Sequence, residues 1–174
     1  SQSLPGDTGA SAAWQPLLKL KNPASVLHVT AHPADEHGGV LATLSRGDGA
    51  RMALVSLNRG ESGDNAIGPQ LFDGLGLIRT DELLAAGRYY GIDEQYFTTL
   101  VDYGYSKRLE EAFDKWGREA ALRDVVRVIR MSRPWVVLSR FQGNARDGHG
   151  NHSAAGVVAV PLFRRFKLSS VLGY

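Results

Sequence analysis

Four side chains of the kind that bind metal ions stand in two pairs with the same spacing. His32 and Asp35 lie three residues apart in the stretch AHPADE, and His149 and His152 repeat that spacing in DGHGNH. A catalytic zinc ion takes three nitrogen or oxygen ligands from the protein and keeps one position open. Two histidines and one carboxylate would supply that set. One such histidine alone is more often a surface or helix-cap residue, but four of these groups at strand ends favour a metal site.

The remaining histidines and the absence of cysteine narrow the choice of ligands. His28 lies inside an apolar run, so it is expected to be a histidine of the core or of a sheet face. His37 is expected at the start of a helix, and neither residue is assigned to the site. The chain has no cysteine, which excludes disulfide bonds and thiolate metal ligands.

Short apolar segments alternate with helical segments along the chain. Residues 1–24, rich in Ser, Gly, Pro and Ala, are expected to form an irregular lead-in, and residues 25–174 a single domain. Strands are predicted over residues 25–31, 51–58, 94–100 and 135–141, and helices over residues 38–47, 77–91 and 107–132. This alternation predicts an α/β fold with a Rossmann-like, mostly parallel sheet and helices on both faces.

The predicted fold class indicates where the two pairs meet. In open parallel sheets, ligands bind at the carboxyl ends of the strands. Three predicted strand ends are unusually polar: HPADE follows the first strand, NRGESGDN the second, and SRFQGNARDGHGNH the strand over residues 135–141. The metal-binding residues are therefore expected to come from adjacent strand ends.

Composition limits the classes of partner. The formal net charge is +2 and the basic residues are dispersed, which argues against a nucleic-acid partner although the sequence pI is near 9.0. No apolar run reaches the roughly 20 residues that span a bilayer. The first residue is not Met, so the chain is interpreted as beginning at a processed or trimmed end. A cytoplasmic location and export after signal removal both stay open, as does the oligomeric state.

The motif AHPADE resembles the Ala-His-Pro-Asp-Asp-Glu signature of the zinc-dependent de-N-acetylases related to PIG-L and LmbE. The resemblance continues through LNRGESG after the second strand, IRTDELLAA on the next helix and DGHGNHSAAG, and it covers most of residues 25–160. It implies an LmbE-like fold and a hydrolase that removes an N-acyl group, such as acetyl, from an amino sugar or glycoconjugate. The implied partner is a small N-acetylated sugar.

The resemblance also implies roles for the paired residues. His32, Asp35 and His152 correspond to the family's ligands for one Zn²⁺ ion. His149 corresponds to the histidine that assists the tetrahedral intermediate as an electrostatic or general-acid group.

The second histidine motif departs from the family's pattern. That pattern often reads His-Pro-Asp-His, whereas Gly150 and Asn151 separate the two histidines here. Asp147 is therefore expected to orient His149 in place of the missing carboxylate.

Ala34 is the other departure, because it occupies the position where the family keeps its general base, the Asp that takes a proton from the attacking water. A methyl group cannot accept a proton, and losing a positioned base costs about 10²–10⁴-fold in rate. Three explanations stay open: a deliberate inactivating substitution, a natural non-catalytic relative, or Glu36 acting as the base. The side chain at position 34 is expected to face the open side of the metal.

Other polar residues near the predicted strand ends are candidates for substrate contact. Arg59 and Glu61 could hydrogen-bond a sugar hydroxyl or an acyl carbonyl, or they could form an internal ion pair in a Gly-rich connector. Arg140 and Asp147 are further candidates for the lining of the same pocket. Arg79, on the next helix, is expected to tie that helix to the loop.

Two other functions fit the same residues. The chain could be a non-catalytic relative that keeps the metal and binds a sugar, or a metal-free α/β module in which the histidines are incidental. Family members are usually longer, and the segment VPLFRRFKLSSVLGY does not resemble their continuation. The domain is therefore expected to be truncated or divergent at its C-terminus.

Overall fold

The structure, a computed structural model, describes residues 6–166 and 169–172. Its centre is a five-stranded sheet in which every pair of neighbouring strands is parallel. The strands are β1 (Ser25–Thr30), β2 (Arg51–Ser56), β3 (Glu94–Phe97), β4 (Val136–Ser139) and β5 (Ser169–Leu172). Their order, β3-β2-β1-β4-β5, places β1 in the middle. The predicted Rossmann-like α/β sheet is confirmed, with β5 as an additional edge strand.

Helices follow or precede each of these strands. They are α1 (Gly9–Lys21), α2 (Gly38–Ala42), α3 (Asp73–Tyr90), α4 (Leu109–Trp116), α5 (Arg118–Ser132) and α6 (Gly150–Phe166). Helix α2 continues into a π-helical turn over Thr43–Gly47. Within the described ranges, no helix combines the length and the apolar character that crossing a membrane requires.

Alternate side chains of β1 pack on opposite faces of the sheet. Leu27 and Val29 belong to a buried cluster that includes Val158 of α6. Val26 belongs to a second buried cluster, which includes Leu41 of α2. Because successive side chains of a strand point to opposite faces, helices cover both sides of the sheet.

The carboxyl ends of the strands lie level with one another, along one side of the sheet that is called its carboxyl edge. Thr30 of β1 lies opposite Ser56 of β2, which in turn lies opposite Phe97 of β3. On the other side of β1, Val29 lies opposite Ser139 of β4. Since these pairs are parallel, the segments that leave the carboxyl ends of the four strands emerge side by side. Polar residues far apart in the chain can therefore meet at this edge.

Helix α1 lies where an irregular lead-in was predicted for residues 1–24, so that prediction was wrong for Gly9–Lys21. The alanines of its first half favour a helix. Contacts with distant residues hold it in place: Lys19 Nζ lies 2.6 Å from Asp93 Oδ2, and Gln15 Nε2 donates to the carbonyl oxygen of Arg46 at 3.3 Å. The prediction weighed Gly, Ser and Pro as turn signals and could not include partners that only the fold brings near.

Gly117 divides the single helix that was predicted over residues 107–132 into α4 and α5. Its φ of 74° and ψ of 115° lie outside the helical region. The backbone N–H of Gly117 caps α4 by donating to Phe113 O at 2.8 Å, and its own carbonyl accepts from Ala121 N at 3.1 Å. The apolar spacing continues across the break, which explains why periodicity alone predicted one helix.

The C-terminal segment extends the fold beyond the predicted elements. Helix α6 begins at Gly150, within the stretch interpreted from sequence as a loop, and β5 pairs with β4. Residues 167–168 and 173–174 lie outside the described residues, and the expected C-terminal truncation stays a prediction.

His28 is a fully buried histidine with both ring nitrogens paired, as the sequence predicted. Its Nδ1 lies 2.9 Å from Leu138 O and donates to it, and its Nε2 accepts from the backbone N–H of His37, the N-cap of α2, at 3.4 Å. Burial is the main cause that lowers the pKa of His28 to about 4. The ring is therefore neutral in the folded protein at neutral pH.

We expect His28 to make the protein less stable in acid. Its pKa falls from 6.5 in the unfolded chain to about 4 on folding. The stability that the neutral His28 ring provides is thus fully present above about pH 6.5. It is lost as pH falls towards 4, which lowers the free energy of unfolding by about 3 kcal/mol. Denaturant unfolding at a series of pH values should show a shallower loss of stability in His28→Asn than in the wild type. The same pH slope in both proteins would contradict the assignment.

Candidate metal centre

The turn after β1 folds Asp35 back over His32. The backbone N–H of His32 donates to Asp35 Oδ2 at 2.7 Å, and the backbone N–H of Asp35 donates to His32 O at 3.3 Å. The same Asp35 Oδ2 lies 3.1 Å from His32 Nδ1. The three-residue spacing therefore brings a nitrogen and a carboxylate to one point at the end of the central strand.

His152 reaches the same point from the first turn of α6. Its Nδ1 donates to Asp147 O at 3.1 Å, which leaves Nε2 on the side of Asp35, 3.4 Å from Oδ1. The ring of Phe141 stacks on the ring of His152 with 4.1 Å between centroids and fixes its plane. One ligand atom from each of His32, Asp35 and His152 lies within 4.8 Å of the others.

The charge of Asp35 suits this cluster to a cation. Burial works to raise the pKa of Asp35, but hydrogen bonds from His152 and His32 outweigh it and hold the pKa well below its usual range. Burial likewise lowers the pKa of His152, but the bond to Asp35 and its charge leave it raised. Two imidazoles and one ionised carboxylate form the nitrogen and oxygen set that divalent zinc takes in catalytic sites.

His149 lies beside the three donors rather than among them. Its ring stacks on that of His32 at 5.2 Å between centroids and lies 4.8 Å from that of His152. Its Nδ1 donates to Ser106 O at 3.0 Å. Burial, opposed in part by this hydrogen bond, lowers the pKa of His149. The ring is therefore neutral near pH 7, with its proton on Nδ1 and a bare Nε2.

These side chains line a polar opening of about 250 Å³ at the carboxyl edge of the sheet, which we call the histidine cleft. Its wall is formed by His32, Asp35, Ser62, Gly63, Asp64, Arg79, Asp102, Gly104, Tyr105, His149 and His152. These residues belong to the segments that follow β1, β2, β3 and β4. The structure therefore brings the ends of adjacent strands together at the cleft, as the sequence predicted.

Asp147 does not orient His149 through its carboxylate, contrary to the expectation from sequence. The carboxylate accepts backbone N–H groups of Gln142, Gly143 and Asn144 at 3.0, 2.7 and 3.0 Å. It completes the capping box of a short 3₁₀ turn over Ala145–Asp147, in which Asn144 is the N-cap and Asp147 reaches back to the N–H of Asn144. Only its backbone oxygen serves the site, by accepting from His152.

The other residues predicted to contact substrate lie behind the wall of the histidine cleft. Arg59 Nη1 donates to Thr80 Oγ1 at 2.7 Å, and Glu61 Oε2 accepts the backbone N–H groups of Arg59 and Asp102 at 3.1 and 3.0 Å. Arg140 Nε donates to the carbonyl oxygen of Asp35 at 3.0 Å. In the structure these residues shape the loops, and their contact with a substrate stays a prediction.

Arg79 joins α3 to the loop after β2, as the sequence predicted, and also to the loop after β1. Its Nη2 donates to Pro33 O at 2.7 Å and its Nη1 to Gly60 O at 3.2 Å. Its side chain also forms part of the wall of the histidine cleft.

Asp102 and Asn151 are two site residues that the sequence reasoning missed. Asp102 lines the histidine cleft, and its Oδ1 accepts from Asn151 Nδ2 and from the backbone N–H of Gly104, each at 3.0 Å. Asn151 Nδ2 lies 3.0 Å from His32 Nε2. The polar stretch TTLVDYGYS after β3 was a fourth strand end that pointed to Asp102.

Ala34 lies next to the histidine cleft without lining it, so the expectation that its side chain faces the open side of the metal is not confirmed. Its side chain lines an adjoining cavity of about 600 Å³, which shares Asp64 and Arg79 with the cleft. The carboxylate of Glu36 turns away from the cleft: its Oε2 accepts from Ala34 N at 2.9 Å and its Oε1 from Tyr90 Oη at 3.4 Å. This orientation argues against Glu36 as a substitute base.

Comparison with known families identifies the framework around this site. The model of the PIG-L family, described as GlcNAc-PI de-N-acetylase, matches residues 27–163. The chain belongs to this family. The matched range includes every residue of the histidine cleft.

Individual PIG-L relatives carry names that refer to deacetylation. A 1D-myo-inositol 2-acetamido-2-deoxy-alpha-D-glucopyranoside deacetylase of Streptomyces scabiei is 29% identical over 175 residues, which cover 86% of this chain and 53% of that protein. The enzyme of the same name from Kineococcus radiotolerans is 32% identical over 159 residues, covering 78% and 44%. The chain thus spans about half the length of these relatives.

A solved structure shares the fold. It is that of N,N'-diacetylchitobiose deacetylase from Pyrococcus horikoshii in complex with its inhibitor MPG, with a TM-score of 0.62 and 20% identity. The likeness covers 91% of this chain and 60% of that one. At this identity it supports the arrangement of strands and helices and not the reaction.

We expect the backbone at position 34 to be strained. Ala34 has a φ of 82°, in the left-handed region where a Cβ atom costs about 1–2 kcal/mol. Ala34→Gly removes this cost, and the greater freedom of Gly in the unfolded chain offsets about 0.4–1 kcal/mol of the gain. The free energy of unfolding from denaturant titration should therefore rise by about 0.5–1 kcal/mol.

The matched control is Ala66→Gly, in an exposed loop and without a positive φ. This variant should be equal to the wild type or less stable, since only the entropy of the unfolded chain changes. An equal loss of stability in both variants would contradict strain at Ala34.

Proposed function

We propose that this chain is the catalytic domain of a metal-dependent hydrolase that removes the N-acetyl group from an amino sugar or glycoconjugate. The observation that carries the proposal is the convergence of His32, Asp35 and His152 at one point of a polar cleft in a PIG-L family member. The relatives' names supply the substrate class, since they describe deacetylases of acetamido sugars. Fold alone would leave the reaction open.

Zn²⁺ is the ion that we propose for this set of donors. His32, Asp35 and His152 would hold it, and the bound ion would polarise the amide carbonyl and make water more acidic. The identity of the ion rests on the nitrogen and oxygen ligand set and on the family.

His149 is the group that we propose to move protons. Its Nδ1 donates to Ser106 O and its pKa is lowered, so its bare Nε2 can take a proton from the attacking water. The resulting imidazolium would support the negative oxygen of the tetrahedral intermediate. It would then return the proton to the amine nitrogen as the carbon–nitrogen bond breaks, releasing acetate and the free amino sugar.

Ala34 makes the proposed enzyme a weakened one. The left-handed backbone at position 34 is a conformation that Asp and Asn tolerate better than Ala, which supports the family's Asp as the residue suited to this turn. Without that carboxylate, His149 would carry the proton transfers alone. The second candidate is a non-catalytic relative that keeps the metal and binds a sugar, and the absence of a carboxylate at position 34 together with the orientation of Glu36 favours it.

The metal-binding part of the proposal predicts one Zn²⁺ per chain. Zn²⁺ affinity can be measured by competition with a chromophoric chelator. Asp35→Asn should lower it by more than about 100-fold, because the charged ligand is lost. This loss exceeds the effect of changing a residue that only contacts a ligand. Asp64→Asn is the control: it removes an equal charge from the wall of the cleft without removing a donor of the cluster. Equal affinity in wild type and Asp35→Asn would rule out the site.

The catalytic part predicts that Ala34→Asp raises activity by about 10²-fold or more, the usual worth of a positioned base. The measurement is amine release from a panel of N-acetylglucosamine derivatives by zinc-loaded protein. Ala66→Asp, which adds the same charge in the exposed part of the adjoining cavity, should leave the rate unchanged.

The two remaining outcomes point elsewhere. Equal, measurable rates in the wild type and Ala34→Asp would mean that position 34 does not hold the base. No turnover by either protein on any substrate of the panel would favour the sugar-binding relative over the enzyme.

A further inference from the structure

Asn151 is a buried amide that separates a carboxylate from a metal-binding histidine. The residue has no exposed surface and lies in the first turn of α6. Its Nδ2 lies 3.0 Å from Asp102 Oδ1 and 3.0 Å from His32 Nε2. Its Oδ1 has no hydrogen-bond partner among the described residues.

Asp102 determines which end of the amide faces His32. Rotating the amide by half a turn would bring its oxygen to about 3 Å from Asp102 Oδ1, and two acceptors at that distance repel each other. The side chain of Asp102 is only 4% exposed, and its Oδ1 already accepts the N–H of Gly104. A buried carboxylate gains most from N–H donors, so the nitrogen of Asn151 is held towards it.

This orientation constrains the proton on His32. Because Asn151 presents an N–H group to His32 Nε2, that nitrogen must be the bare acceptor of a neutral ring. The proton then lies on Nδ1, which donates to Asp35 Oδ2 at 3.1 Å. Nδ1 is also the nitrogen that faces Asp35, a proposed ligand of the same ion, and a nitrogen that binds a metal has to be bare.

We propose that Asn151, oriented by Asp102, holds His32 in the tautomer that opposes metal binding and so lowers the affinity of the site. For a metal to bind at Nδ1, the proton must move to Nε2, where it meets the N–H of Asn151, or the amide must turn away from Asp102. Either change costs free energy, because it sets two N–H donors face to face or takes a donor away from Asp102. The inference rests on the proposed function for the place of the metal, and it makes Asn151 a positioning residue.

The first test measures the tautomer in the wild-type protein without metal. Nitrogen-15 NMR of the histidine rings should show His32 protonated on Nδ1 and bare on Nε2. A His32 ring protonated on Nε2 would overturn the inference. This measurement needs no variant and no activity.

The second test measures Zn²⁺ affinity in Asn151→Asp by competition with a chromophoric chelator. The new carboxyl group would share one proton with Asp102 Oδ1, about 3.0 Å away, and its oxygen could accept the Nε2 proton of His32. Affinity should therefore rise by about 10- to 100-fold, the usual worth of such a partner. The NMR spectrum of the metal-free variant should also show the proton moved to Nε2. If Asn151→Asp, a near-isosteric change in a buried turn, destabilises the fold, the NMR spectrum of the wild-type protein decides whether the inference holds.

Asn144→Asp is the matched control. Asn144 is exposed, and its side chain caps the 3₁₀ turn, a role that Asp fills equally well. The variant adds the same charge near the site without touching His32, so Zn²⁺ affinity and the His32 tautomer should stay as in the wild type. Binding by Asn151→Asp that is no tighter than binding by Asn144→Asp would overturn the inference.

These readouts separate the inference from the proposed function. Tighter Zn²⁺ binding and the tautomer change in Asn151→Asp, without deacetylation by any variant, would support the inference and contradict the enzyme. Deacetylation with an Nε2-protonated His32 in the wild type would do the reverse.

Discussion

The carboxylate of Asp35 joins three parts of the chain at the edge of the sheet. Its Oδ2 accepts the backbone N–H of His32 at 2.7 Å, and its Oδ1 lies 3.4 Å from His152 Nε2. Arg140, which follows β4, donates to the backbone oxygen of Asp35 at 3.0 Å. A mostly buried anion is costly unless hydrogen bonds and positive charge surround it. The arrangement of the site therefore depends on the groups that compensate the negative charge of Asp35. A bound divalent cation would compensate that charge best.

The histidines around this carboxylate take their orientation from loops rather than from the sheet. Backbone oxygens of Asp147 and Ser106 accept from His152 and His149, and the ring of Phe141 holds His152 from its other side. A solved deacetylase with 20% identity shares the fold, and a shared fold does not by itself fix the function. The chemistry of this chain is accordingly decided by a few residues at the strand ends.

Two of those residues, Ala34 and Asn151, are uncharged where the motifs that the sequence resembles have Asp. Ala34 stands two residues beyond one proposed ligand, and Asn151 stands directly before another. One change removes a proton acceptor from the side of the cleft, and the other removes an acceptor behind His32. Both act on the same centre, since a metal site needs a negative environment and correctly protonated histidines as much as it needs ligands. Together they are consistent with an attenuated enzyme and with a sugar-binding relative.

Local patterns determined the sheet and much of the site. The apolar runs of β1, β2 and β4 are properties of adjacent residues, and the polar stretches that follow them indicated a common edge. The spacing of His32 and Asp35 within one turn is likewise local, and the family motif added His152 as the third donor. These features were predictable because each depends on neighbours in the sequence or on a motif.

Tertiary structure decided what depends on distant partners. Helix α1 is held by Asp93, far along the chain, and Gly117 breaks a helix whose apolar spacing is continuous. Asp102 and Asn151 meet behind His32 only because β3 ends and α6 begins at the same edge of the sheet. A hydrogen bond depends on distance and on the direction of a donor, and neither is written in the spacing of residues. The sequence therefore determined the strands and the motif residues, and the fold decided which side chains line the cleft and which contact each other.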